Sequence, residues 1–127
     1  MTPGAPVGDA ERARRSARGR NSKARGKAVE RVVARLYGGR RMPDTGEHWA
    51  DVQTPELVIE CKSRQSATPA LIREAWDQAE TAARATGKAP LVVLSFVDGG
   101  RRVFWEVRRV AVDVPVEATV ADIEASA

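Results

Sequence analysis

Residues 90–97, PLVVLSFV, are apolar on both of the faces that a strand presents. A half-solvated strand alternates apolar with polar residues, so a run that does not alternate reads as an interior strand covered by helices on both sides. The remaining segments can supply those layers. From about Ser22 to Tyr37, the residues Val29, Val32, Val33 and Leu36 recur at the spacing of one helical face, and Gly38-Gly39 ends that helix. Thr68-Pro69 pairs an N-cap residue with proline at the first helical position, predicting a helix to about Ala85 with Ile72, Ala75, Trp76, Ala79 and Ala83 inward.

Between the helices, "RRM" predicts a short strand and "PDTGEHWAD" a loop. "DVQ" and "ELVIECK", joined through Thr54-Pro55, predict a hairpin, and Asp98-Gly99-Gly100 turns residues 90–97 into the alternating strand "RRVFWEVRR". The expected fold is α/β, a mixed β-sheet flanked by helices in the order α-β-β-β-α-β-β, with residues 21–127 as one domain. The stretch after Val110 has no clear pattern.

The chain of 127 residues is long enough to bury a core without a disulfide, and its single cysteine, Cys61, excludes an internal bridge. It has no apolar run of membrane-spanning length and no signal-peptide core, so a reducing, cytoplasmic setting and no membrane partner are expected. The net charge of +4 is unevenly placed. Residues 1–27 hold eight Lys/Arg against Asp9 and Glu11, while the other hundred residues carry two more acids than bases. Residues 1–20 have almost no large apolar side chain and are expected to form a mobile basic arm. Arg18, Arg20, Lys23, Arg25 and Lys27 are candidate phosphate contacts, because a planar guanidinium suits phosphate and the excess charge is concentrated at one end. A solvated tail that aids solubility is the plainer alternative.

Charge also interrupts the strand "LVIECKSR", residues 57–64. Side chains two apart share a face, so Glu60 and Lys62 project together while Ile59 and Cys61 point the other way. By itself such a pair reads as an ion pair at a strand end. Two further acids alter the weighing: Asp51 lies in the partner arm of the hairpin, and Glu30 sits at the margin of the first helix's apolar face. Carboxylates gathered beside a core cost several kcal/mol each unless a positive charge offsets them, and a divalent cation would do so.

"GKAVE" in a first helix, an aspartate before a strand, "ECK" at a strand end and a following helix with Gln78 together resemble the PD-(D/E)xK nuclease superfamily. Within it the chain looks most like the small Holliday-junction resolvases of archaeal type and the resolvase-like nucleases of actinobacterial phages, over about residues 20–108. The resemblance implies a restriction-endonuclease-like core and DNA hydrolysis, in a bacterial host cytoplasm or from a phage. It further implies that Glu30 assists metal binding, that Asp51 and Glu60 ligate the metal and that Lys62 is the motif lysine, with Gln78 a helix-two polar residue of variable role. Pro43-Asp44 is the only Pro-Asp pair here, whereas Asp51 follows Ala50; Asp51 is preferred because it opens an extended run, with Asp44 as the alternative.

Mg²⁺, for which Mn²⁺ can substitute, takes hard oxygen ligands and keeps several waters. Two carboxylates and the Cys61 backbone carbonyl would leave room for water and a phosphate. Two roles are open to Lys62, general base or electrostatic clamp, and its acidic surroundings favour the clamp. His48, the only histidine, precedes Asp51 and is an accessory candidate, though a lone loop histidine is more often a bland polar residue. Arg40, Arg41, Ser63 and Arg64 are candidate contacts to DNA backbone. The expected activity is a metal-dependent endonuclease acting on DNA, most of all on four-way junctions, and cutting two symmetric strands implies a homodimer. The alternatives are a restriction- or repair-type nuclease on duplex, flap or nicked DNA, and a non-catalytic nucleic-acid-binding protein.

Overall fold

A computed structural model describes residues 7–43 and 50–126. Asp44, His48 and Trp49 lie outside them. The elements run α1 (Val7–Tyr37), β1 (Arg40–Arg41), β2 (Val52–Gln53), β3 (Leu57–Ser63), α2 (Pro69–Thr86), β4 (Ala89–Asp98), β5 (Arg101–Val107) and α3 (Val120–Ala125). The five strands form one mixed sheet in the order β1-β2-β3-β4-β5. Only β3 and β4 are parallel, joined across α2; the other neighbours are antiparallel.

The run at residues 90–97 is buried on both faces over residues 91–95, as its composition requires, while Val97 near the turn is exposed. Leu91 and Val93 pack with Ile59 and Val52 against Val29 and Val33 of α1. Val92 and Leu94 point the opposite way, onto Ala75 and Ala79 of α2. Small alanines on α2 let its backbone lie close to the sheet, and Ile72 and Trp76 fill the flanks. Thr68 caps α2 by accepting the N–H of Leu71 at 3.1 Å.

Two tight connections set the frame of the site. α1 ends at Gly38, whose φ of 65° is left-handed, with Gly39 N–H bonded to the Ala34 carbonyl at 2.8 Å. Gly39 then runs against the backbone of Gln53 in β2, where a Cβ would collide with the Gln53 carbonyl. At the other side of the sheet, Gly99 and Gly100 both have positive φ, so β4 turns into β5 through a two-residue loop.

The structure corrects the expected mobile arm. α1 begins at Val7 rather than near Ser22, so residues 7–20 continue the helix. Ala and Arg are strong helix formers, and the exposed pairs Arg12–Asp9 and Arg15–Glu11 sit at helical spacing. Low apolar content predicted the absence of tertiary burial, and residues 8–16, 19 and 20 are exposed; it did not exclude a helix seeded by the packed half of α1. The unpatterned stretch after Val110 contains no further strand and closes with α3, capped by a reciprocal Thr119–Asp122 box. Among the described residues no helix is long and apolar enough to cross a membrane.

Candidate active site

β3 carries Glu60 and Lys62 to a cavity of about 590 Å³, lined by α1 on one side and the strand end on the other. Ser22, Arg25, Gly26, Val29 and Glu30 come from α1, and Asp51, Glu60, Cys61, Lys62, Ser63, Arg64 and Gln65 from the sheet. The four residues expected to carry chemistry, Glu30, Asp51, Glu60 and Lys62, therefore border one space.

Asp51 is positioned by its whole backbone. Its N–H bonds the Ile59 carbonyl at 3.1 Å, its carbonyl accepts from Met42 N–H at 2.9 Å, and Oδ2 accepts the Cys61 N–H at 2.8 Å. Ala50, immediately before it, has a φ of 62°. That left-handed turn is unfavourable for a residue with a Cβ, and it delivers Asp51 onto β3 at the level of Glu60.

The β2–β3 register sets Asp51 across from Glu60, close enough that each acid acts on the other's proton affinity. Burial raises the proton affinity of both acids. Glu60 is pushed up to about 8, by desolvation first and by the Asp51 charge second, while Lys62 opposes the rise. The Lys62 ammonium lies 3.5 Å from Glu60 Oε1 with both side chains nearly buried. Asp51 is held down in part by the Cys61 N–H, which favours its ionised form. With both acids ionised, the two carboxylates would carry more negative charge than the adjacent Lys62 ammonium offsets.

That donor set fits a divalent cation: two hard oxygen ligands converge where burial and mutual repulsion both favour a positive charge. The alternation of β3 points the Cys61 carbonyl to the same side as that of Ile59, toward Asp51. Glu30 borders the cavity but joins Arg41, whose Nε donates to Glu30 Oε2 at 2.8 Å. Among the described residues no group of three His, Cys, Asp or Glu side chains is placed to hold a metal ion.

Arg41, a candidate contact to DNA backbone, is half-buried and pairs with Glu30. Arg40 is exposed at the outer strand. The Cys61 side chain does pack toward α1, opposite to Glu60, but it does not escape the acids: burial and the charges of Asp51, Glu30 and Glu60 all push its thiol up, making it a poor nucleophile. Gln78 is exposed on α2 beside Arg73, Glu74 and Asp77, in a groove separate from the site. Ser63 and Arg64 do line the cavity, as does Arg25; Arg18, Arg20, Lys23 and Lys27 follow on α1. Sequence reasoning missed Arg102, whose Nη1 donates to Ser63 Oγ at 3.3 Å and to buried Ser95 Oγ at 3.2 Å. The alternation of β5 was the available signal, since it places Arg102 on the α1 side of the sheet. In comparisons with protein-family models, curated proteins and solved structures, the chain matches none.

Proposed function

We propose that this protein is a metal-dependent endonuclease of the PD-(D/E)xK type that hydrolyses DNA phosphodiester bonds, with four-way junctions as its principal substrate. The observation that carries the reading is one cavity bordered by buried Glu60 and half-buried Asp51, with Lys62 at 3.5 Å from Glu60 and Arg25 of α1 on its wall. A purely structural ion pair would match one acid to one base, whereas this site holds a second carboxylate that either keeps a proton or is offset by another cation when both acids ionise.

Asp51, Glu60 and the Cys61 carbonyl would hold Mg²⁺ or Mn²⁺, which when bound supplies Lewis-acid stabilisation of the phosphate and a more acidic water. Lys62 then stabilises charge developing on the phosphate oxygens. Arg25 and Arg64 border the entrance and hold DNA backbone there, with Ser63 between Arg64 and Arg102. Glu30, paired with Arg41, lines the same cavity and would assist metal binding. A cytoplasmic homodimer with one site per protomer meets the need to cut two symmetric strands.

Cleavage of a synthetic four-way junction against a matched linear duplex, with Mg²⁺ and with chelator, tests the reading. Junction-selective, chelator-sensitive cleavage is expected. Equal cleavage of duplex would point to a restriction- or repair-type enzyme. DNA binding without metal-dependent cleavage would leave the basic helix as the functional element and sink the nuclease assignment.

A further inference from the structure

We propose that two copies of this chain associate through their β5 strands, paired antiparallel about Phe104 into a continuous ten-stranded sheet. This names the partner surface for the two-site reading above, and its test uses neither DNA nor metal, so either idea can fail alone.

β5 is the last strand of the sheet. The two-residue loop makes Asp98 and Arg101 a hydrogen-bonded pair, so residues 101, 103, 105 and 107 bond inward to β4 while Arg102, Phe104 and Glu106 turn their backbone groups outward. Among the described residues nothing hydrogen-bonds to those outward groups. An uncovered edge of this length is a template for another strand.

The side chains favour a second copy of the same edge. A two-fold axis at Phe104 sets each outward residue opposite an outward residue and satisfies the exposed N–H and C=O groups of all three. It also puts Arg102 opposite Glu106 of the other copy, twice, and Val103 opposite Trp105, twice. The neighbouring registers lose this match: one sets Arg102 against Arg108, the other sets Arg101 against Trp105. Both charged residues are exposed; Arg102, bonded inward through Nη1 to Ser63 and Ser95, would exchange those contacts for Glu106 of the other copy, whose Oε1 receives Tyr37. Trp105 is 57% exposed and stacks only on Phe96, a large apolar area for a strand edge to leave in water.

The symmetry has a functional consequence. An axis normal to the sheet keeps both α1 helices, and both cavities, on one face. Glu60 is level with Val107 across β4, so strand spacing separates the two Glu60 residues by roughly 30 Å.

Sedimentation velocity of the full chain at up to about 100 μM should show a dimer, and Arg102→Glu or Glu106→Arg should each weaken self-association at least about tenfold by opposing like charges. The combined R102E/E106R chain should recover it. A Val103→Cys/Trp105→Cys chain should cross-link to a dimer under mild oxidation, whereas wild type, whose only thiol is Cys61, should not. A monomeric wild type, which would leave the edge to a strand of another protein, overturns the proposal. So does a dimer indifferent to both single changes, a double variant no tighter than the singles, or a cysteine pair that stays monomeric.

Discussion

Asp51 Oδ2 accepts the backbone N–H of Cys61 at 2.8 Å, so the acid that enters β2 is fastened to the strand whose next residue inward is Glu60. One hydrogen bond thereby fixes the spacing of two carboxylates on different strands. The same N–H favours ionised Asp51, which leaves Glu60 as the acid that carries the proton as pH falls.

A pH dependence of stability follows without any substrate. The folded-state value for Glu60, about 8, lies above its ordinary carboxylate value of 4.5, so the folded chain binds a proton that the unfolded chain releases. Stability from this group is complete below pH 4.5 and is lost as pH rises through 8. Thermal melts of the metal-free protein should therefore fall between about pH 5 and 8, by an amount on the order of a few kcal/mol. Mg²⁺ should restore the loss most at the alkaline end, where both acids are ionised. A melting profile flat across that window, with no Mg²⁺ effect, would contradict the coupled pair.

Lys62 offers a sharper kinetic test. If it stabilises charge at the phosphate, Lys62→Ala should lower the cleavage rate about a hundredfold or more while leaving junction affinity nearly unchanged. Glu60→Gln should abolish the response to Mg²⁺ and raise stability near pH 8, because it removes a buried charge. Retention of full cleavage by both variants would exclude this cavity as the reacting centre.

The element order and the layering were legible because residues 90–97 admit few environments and because Thr68-Pro69, Gly38-Gly39 and Gly99-Gly100 are local signals with local causes. Asp51 and Glu60 were also legible as candidates, since a hairpin brings its two arms together by construction. Arg41 was not: its engagement with Glu30 depends on how α1 crosses β1, a tertiary relation that no local spacing encodes. The helical state of residues 7–20 was hidden for a different reason. Their composition resembles a disordered tail, and only continuity with the packed turns at Val29 and Val33 favours a helix there.

Backbone geometry around the site predicts two opposite stability effects. Gly39→Ala drives a Cβ into the Gln53 carbonyl, where backbone must move, and should cost about 2–4 kcal/mol, lowering the melting temperature by about ten degrees. Ala50→Gly relieves a left-handed φ and should stabilise by up to about 1 kcal/mol. The second variant also loosens the approach of Asp51, so cleavage should fall although the melt rises. Parallel rises in both would show that the turn at Ala50 has no part in placing Asp51.

The basic helix makes a prediction about salt. Arg20, Lys23, Lys27 and Arg31 are exposed and spaced three or four apart, so they form one stripe about 16 Å long on α1. A rigid stripe differs from a mobile arm in its effect: its charges meet phosphates at fixed spacing and release counterions together. Changing Lys23 and Lys27 to Gln should weaken DNA binding uniformly across sequences and reduce the slope of log affinity against log salt by about two, one for each phosphate no longer neutralised. The melting temperature should not move, since neither side chain is buried. An unchanged slope would remove this face of α1 from the DNA interface, leaving Arg25 and Arg64 at the cavity mouth as the anchoring pair.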